Sequence, residues 1–317
     1  MKLAPLVTLV AVLVPQTLGA GESSGTLLQS REVMTPPAWN EAPKIERYAD
    51  KETYEAARGD NRFVLEELRY ISGELEVVAY LYRARVSDGA SAPTVIYNRG
   101  GWVSPGNPHT LLTTFNRLAE AGFTVIAPYL RGSAGAEGHD ALGGADLGDI
   151  RVAIELGLEM GLVDPDRIYM YGESRGGMMT YFALRDDFPI RAAAVFGATA
   201  NLEQLYLENK DLYDPILKVI WPDVETRWEE IVEQRSATAW ADSLTDVPLL
   251  IMHGAQDGSV AVHHAIDLFE LLLPLEAEVD LWIAAGEGHR IAGRAEERDA
   301  RAIRWFETHA PAVAEID

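Results

Sequence analysis

The chain has 317 residues, 48% of them hydrophobic, with 27 glycines and a mean hydropathy of −0.05. This is a globular composition with enough apolar material for one large domain. The absence of cysteine excludes disulfides and thiolate metal sites, and a net charge of −22 speaks against nucleic acid and anionic membranes as partners.

Lys2 is followed by an apolar run from Leu3 to Val14, then Pro15 and the small-residue stretch Thr17-Leu18-Gly19-Ala20-Gly21. The run is shorter than the ~20 residues of a membrane span and ends at a helix breaker, so residues 1–20 are expected to be a secretory signal peptide. The protein is accordingly expected to be exported, to the periplasm or beyond, and to make no membrane contact once the leader is gone. Removing residues 1–20 takes away one Lys and leaves a net charge of −23. Residues 21–60 are polar, include Pro36-Pro37, and read as a linker or strap with no visible chemistry.

The catalytic domain is expected over 61–317. Arg62 to Arg85 alternates apolar and polar residues around Ser72-Gly73, as in an antiparallel hairpin. Pro93 to Tyr97 is a buried-type strand, followed by the turn Arg99-Gly100-Gly101 and a helical stretch over 111–121. A strand at 123–128 and a helix at 145–161 precede the apolar strand at 167–171, after which a helix runs to Arg185. Strands at 192–196 and 247–252, a helix at 260–273, a strand at 277–283 and a helix at 292–309 complete the pattern. The alternation predicts an α/β fold, with a mostly parallel central sheet and helices on both faces. Residues 198–246 carry no strand signal and are expected to form a helical, cap-like insertion before the strand that bears the acid. Trp221, Trp228 and Trp240 lie in it, either as a substrate wall or as packing onto the body.

Gly172-Glu173-Ser174-Arg175-Gly176 joins that apolar strand to an Ala/Met/Leu-rich helix, the context of a nucleophile elbow. A second match, Gly21-Glu22-Ser23-Ser24-Gly25, has no such flanks and reads as accidental. A serine hydroxyl needs a histidine base, and the base needs a carboxylate to fix its tautomer. In this fold they follow in the order serine, acid, histidine. Asp257, 83 residues after Ser174, ends the run Pro248-Leu249-Leu250-Ile251-Met252-His253-Gly254-Ala255-Gln256-Asp257. His289, 32 residues further on, sits in a Gly-bracketed loop after the last predicted strand. Of the other six histidines, His109 and His139 precede the serine, His263 and His264 fall on a predicted helix, His309 is near the C-terminus, and His253 supports the acid loop.

Taken together, Gly172-Glu173-Ser174-Arg175-Gly176-Gly177, the Pro-x-Leu…His-Gly…Asp run at 248–257 and Gly286-Glu287-Gly288-His289 resemble the catalytic domain of the prolyl oligopeptidase family of serine peptidases. Tyr129-Leu130-Arg131-Gly132-Ser133-Ala134-Gly135 and Arg235-Ser236 resemble two further family segments, and the likeness covers roughly residues 60–310. It implies an α/β-hydrolase fold, a Ser174, Asp257, His289 triad, and peptidase activity on short peptides without metal or organic cofactor. About forty residues precede the first predicted strand, too few for the β-propeller of larger members. The first oxyanion donor is expected to be the backbone N–H of Arg175. For the second, the family has Tyr or His where this chain has Arg99. Either the Arg99 guanidinium reaches the site, or it faces surface acids and a backbone N–H of Gly100 or Gly101 serves. The triad itself is indifferent to the leaving group, so a carboxylesterase is the alternative function and a non-catalytic binding protein the remote one. The oligomeric state is left open.

Overall fold

The computed structural model describes residues 26–32, 36–85, 91–101 and 108–311. The expected leader and the second Gly-x-Ser-x-Gly copy lie outside them. One sheet contains β1 Thr26–Glu32, β2 Phe63–Ser72, β3 Leu75–Ala84, β4 Ala92–Asn98, β5 Thr124–Pro128, β6 Val163–Glu173, β7 Ala192–Phe196, β8 Leu249–Gly254 and β9 Val279–Ala284. Their spatial order is β1-β2-β3-β5-β4-β6-β7-β8-β9. The pairs β1–β2, β2–β3 and β3–β5 are antiparallel and the rest parallel. The chain moves outward from β4 to β5 and returns to β6 on the other side of β4, so a crevice opens between the ends of β4 and β6, where α/β sheets place their sites.

The helices are α1 Lys51–Gly59, α2 Leu112–Glu120, α3 Leu147–Glu159, α4 Arg175–Arg185, α5 Leu202–Glu208, α6 Lys210–Ile220, α7 Trp228–Arg235, α8 His263–Leu272 and α9 Ala295–Thr308. The central strands are buried on both faces, as the continuous apolar run Ala192–Phe196 requires. Successive side chains therefore feed two apolar layers. Ile96, Met170 and Val195 cluster with Ile154 of α3, Met178 of α4 and Leu268 of α8. Tyr97, Tyr171 and Phe196 cluster with Tyr54 of α1, Phe115 of α2 and Phe306 of α9. In that second layer Phe115, Tyr97, Tyr171 and Phe196 follow one another at 5.3, 5.5 and 5.3 Å between ring centroids. Such pairs add about 0.5–1.5 kcal/mol each and brace β4, β6 and β7 beneath the strand ends.

Within residues 21–60 the described segments add a strand and a helix to the body. β1 pairs along β2, and α1, capped by Asp50 accepting from Thr53 N–H at 2.9 Å, buries Tyr54 and Ala57. β1 escapes sequence reading because Thr26-Leu27-Leu28-Gln29-Ser30-Arg31-Glu32 has no alternation; an edge strand gains its place through backbone pairing. The insertion at 198–246 holds α5, α6 and α7 and no strand among the described residues. Its tryptophans pack: Trp240 lies 5.7 Å from Phe182 of α4, Trp228 4.7 Å from Tyr206, and Trp221 beneath Arg235 at 4.9 Å. Among the described residues no helix is long and apolar enough to cross a membrane.

Candidate active site

β6 ends at Glu173 and α4 begins at Arg175, leaving Ser174 alone in the turn with φ 55° and ψ −120°. A positive φ on a serine stores about 1–3 kcal/mol of strain, which its surroundings must hold in place. Ser174 N–H donates to Phe196 O at 2.9 Å, and Ser174 O accepts from Gly177 N–H at 2.9 Å. The flanking glycines are needed for space. A Cβ on Gly172 would lie 2.5 Å from Thr180 Oγ1, and one on Gly176 would lie 1.8 Å from Asn98 O.

The structure brings Ser174, Asp257 and His289 together from the ends of β6, β8 and β9. His289 Nε2 lies 2.9 Å from Ser174 Oγ, and His289 Nδ1 lies 2.7 Å from Asp257 Oδ2. With Nδ1–H donating to the carboxylate, the Nε2 lone pair faces the hydroxyl. The Asp257 side chain is buried, which by itself raises its pKa. Hydrogen bonds from His253 and His289, the His289 charge and the Val260 N–H outweigh burial and hold the carboxyl well below the usual carboxylate range. Oδ1 accepts from Ser259 N–H at 2.8 Å and Val260 N–H at 3.0 Å. His253, expected to support the acid loop, has Nε2 3.1 Å from Asp257 Oδ2 and 2.9 Å from Val260 O. The acid and histidine loops meet at Gly254, where a Cβ would lie 2.2 Å from Gly288 O.

Arg175 N–H is in the first turn of α4, where no intrahelical acceptor exists. Gly100 follows β4 and lies against the elbow: a Cβ there would be 3.2 Å from Glu173 O. Arg99 differs from both placements expected for it. The residue is buried, with NH1 donating to Gly100 O at 3.0 Å and NH2 to Ser133 Oγ at 2.6 Å and Tyr129 O at 3.3 Å. These partners are internal, not surface acids, and among the described residues no contact links the guanidinium to Ser174.

Several residues around the site were not singled out from the sequence. The Arg175 guanidinium is buried between Asp140 Oδ1 at 2.7 Å and Asp146 Oδ2 at 2.9 Å. Burial raises the Asp146 pKa against the pull of Arg175. An arginine at the start of a helix whose first residues are otherwise glycine and methionine signals a buried acid partner, but not which one. Glu173 and Arg290, the neighbours of Ser174 and His289, form an ion pair at 3.0 Å.

One group has the composition of a metal site: Glu208, His263 and His264 converge, with Glu208 Oε1 2.7 Å from His263 Nε2 and 3.3 Å from His264 Nε2. His264 Nδ1 accepts from the N–H groups of Ala200 and Asn201, both at 3.3 Å, which leaves the proton on Nε2. A protonated Nε2 has no lone pair for a cation, so the three residues do not fit one.

Residues 109–312 match the prolyl oligopeptidase family. The chain is 28% identical over 241 residues to the uncharacterized peptidase YtmA of Bacillus subtilis (strain 168), across 75% of this chain and 91% of that protein. The acylaminoacyl peptidase of Pyrococcus horikoshii shares its fold with a TM-score of 0.65 at 22% identity, over 81% of this chain and 43% of that one. The Pyrococcus furiosus esterase PF2001 does so with a TM-score of 0.62 at 17% identity, over 78% and 92%. These likenesses agree with the α/β-hydrolase fold expected from the sequence. The family match spans more than half of the chain and includes Ser174, Asp257 and His289: the chain belongs to the prolyl oligopeptidase family of serine peptidases.

Proposed function

We propose that this protein hydrolyses short peptides by acyl transfer, with Ser174 as nucleophile, His289 as general base and Asp257 as the group that orients it. The N–H groups of Arg175 and Gly100 are the oxyanion donors. Ser174 Oγ attacks the carbonyl carbon while its proton passes to His289 Nε2, and the oxyanion forms against the two N–H groups. His289 then gives the proton to the leaving amine as the C–N bond breaks, and water repeats the sequence to release the acid. The carrying observation is the continuous hydrogen-bonded chain from Asp257 Oδ2 through His289 to Ser174 Oγ, at 2.7 and 2.9 Å, on a serine held at positive φ.

Peptides are preferred as substrates because of family membership and the likeness to an acylaminoacyl peptidase. Ester hydrolysis is the second reading, since the same chemistry serves either leaving group and a named esterase shares the fold over 92% of its own length. Export is part of the proposal and rests on the apolar run at Leu3–Val14; the N-terminal sequence of the protein recovered outside the cytoplasm checks it. For the activity, the purified protein is treated with a fluorophosphonate and assayed on matched peptide-amide and ester substrates. Labelling at Ser174, lost with hydrolysis in Ser174→Ala, is the expected result. An alanine variant that still labels or hydrolyses would remove Ser174 from the mechanism.

A further inference from the structure

Two buried guanidinium groups flank the oxyanion donors and take no part in the proton transfers. Their backbone ties are shared: Arg99 NH1 and Arg175 NH1 each lie 3.5 Å from Gly101 O. We propose that Arg99 and Arg175 are positioning residues that clamp the Gly100–Gly101 segment and the first turn of α4 onto the loop 129–146, so holding both oxyanion N–H groups in place. The inference rests on the acyl-transfer reading given above.

The need for a clamp follows from the residues. Gly100 and Gly101 have no side chains with which to fix their own dihedrals, and Gly101 sits at φ 85°. A peptide unit is planar, so holding the Gly100 carbonyl fixes the whole Gly100–Gly101 peptide and with it the ψ of Gly100, the residue whose own N–H is the donor. Arg99 NH1 does this at Gly100 O, 3.0 Å away, while NH2 anchors the same side chain to Ser133 Oγ at 2.6 Å and Tyr129 O at 3.3 Å. Arg175 carries the other oxyanion N–H on its own backbone, and NH2 of its side chain bridges Asp140 and Asp146 at 2.7 and 2.9 Å.

The loop they grip is itself braced. Asp140 accepts from Leu142 N–H at 2.9 Å, and Asp146 from Gly144 N–H at 2.8 Å. Asp149 accepts from the backbone N–H and side chain of Arg131 at 2.8 and 2.6 Å. Charge is balanced as well. Burial, then the neighbouring Arg175 charge, lowers the Arg99 pKa, and the carboxylates of Asp140 and Asp146 offset the two cations. A planar guanidinium can serve a carbonyl and two carboxylates at once; an ammonium cannot reach them in the same plane.

The test compares Arg175→Met, Arg175→Lys and Ser133→Ala with the wild-type chain. Each is measured for kcat and KM on an ester substrate, for inhibition by a peptide trifluoromethyl ketone, which adds to the serine as a tetrahedral adduct, and for thermal melting. Arg175→Met is expected to lower kcat about 10- to 100-fold with KM within about twofold, and to raise the Ki of the ketone by the same factor. Arg175→Lys is expected not to rescue it. Ser133→Ala removes the shortest anchor of Arg99, is the milder change, and is expected to lose about 3- to 10-fold in kcat with the same matching Ki; it decides the matter if Arg175→Met fails to fold. Unchanged kcat in the folded variants, or a kcat loss with an unmoved ketone Ki, overturns the clamp alone. A wild-type Ser174 that a fluorophosphonate leaves unlabelled overturns the acyl-transfer reading and the clamp with it.

Discussion

Arg290 Nε lies 3.0 Å from Glu173 Oε1, so the residue after the histidine is ion-paired with the residue before the serine. The Arg290 guanidinium also lies 4.5 Å over the ring of Tyr48, from the segment that precedes α1. Burial, then the Glu173 charge, raises the Tyr48 pKa, keeping the phenol neutral over this pair. Neither charged side chain moves a proton in the proposed reaction; the pair ties the loop after β9 to the elbow after β6.

Breaking that pair is therefore expected to cost stability. Arg290→Met leaves a Glu173 side chain that is 3% exposed without its cation, a loss of about 2–4 kcal/mol, toward the lower side for buried pairs because Arg290 keeps 29% exposure. Adding Glu173→Gln to Arg290→Met should recover part of the loss. Urea unfolding of the two single variants and the double variant measures the coupling; strictly additive losses would show that the two residues are not coupled.

Asp257→Asn should lower kcat by about 10³–10⁴ and also cost about 1–3 kcal/mol of stability, because the buried carboxylate loses the His253 and His289 hydrogen bonds to Oδ2. The carbonyl of the new amide must stay at the Oδ1 position to accept from Ser259 and Val260 N–H, which puts its NH2 against His289 Nδ1. The imidazole is then driven to the tautomer with its proton on Nε2, facing Ser174. Steady-state kinetics and a thermal melt check both halves of the expectation.

Gly176→Ala should destabilise the protein by about 3 kcal/mol or more, because the added methyl would lie 1.8 Å from Asn98 O and 2.7 Å from Arg99 O, both backbone atoms that cannot swing aside. The surviving folded fraction should also lose activity, since relief would push the end of β4 away from the elbow. Chemical denaturation of the variant decides it, and an unchanged midpoint would contradict the packing described.

His264 gives a signed pH dependence. Burial, then the charges of His263 and His253, push its pKa down to about 3 from the model-peptide 6.5. Between those values the unfolded chain binds a proton that the folded chain refuses, so the contribution is complete above about 6.5 and is lost as the pH falls toward 3. In His264→Asn the side-chain oxygen can still accept from Ala200 and Asn201 N–H, yet nothing titrates. Urea unfolding at pH 7, 6, 5 and 4 should show a shallower loss in the variant, by up to about 1.4 kcal/mol per pH unit in the window. Parallel curves would show that His264 titrates alike in both states.

The sequence by itself determined the central strands, their helices and the residues at the strand ends. Those signals are local: Ala192–Phe196 is buried on both faces and reads as a continuous apolar run, while Gly172 and Gly176 mark a turn too tight for side chains. Ser174, Asp257 and His289 could be picked out because each follows an apolar strand, and parallel strands deliver their C-terminal ends to one edge of the sheet. Only the tertiary structure decided the partners of the charged side chains. Asp140 and Asp146 lie 35 and 29 residues before Arg175, and Ser133 lies 34 after Arg99. Nothing in the local pattern selects them, because a guanidinium accepts any carboxylate or carbonyl that folding brings within reach. β1 is the same case in the backbone, an edge strand whose register is set by β2 and not by any alternation of its own.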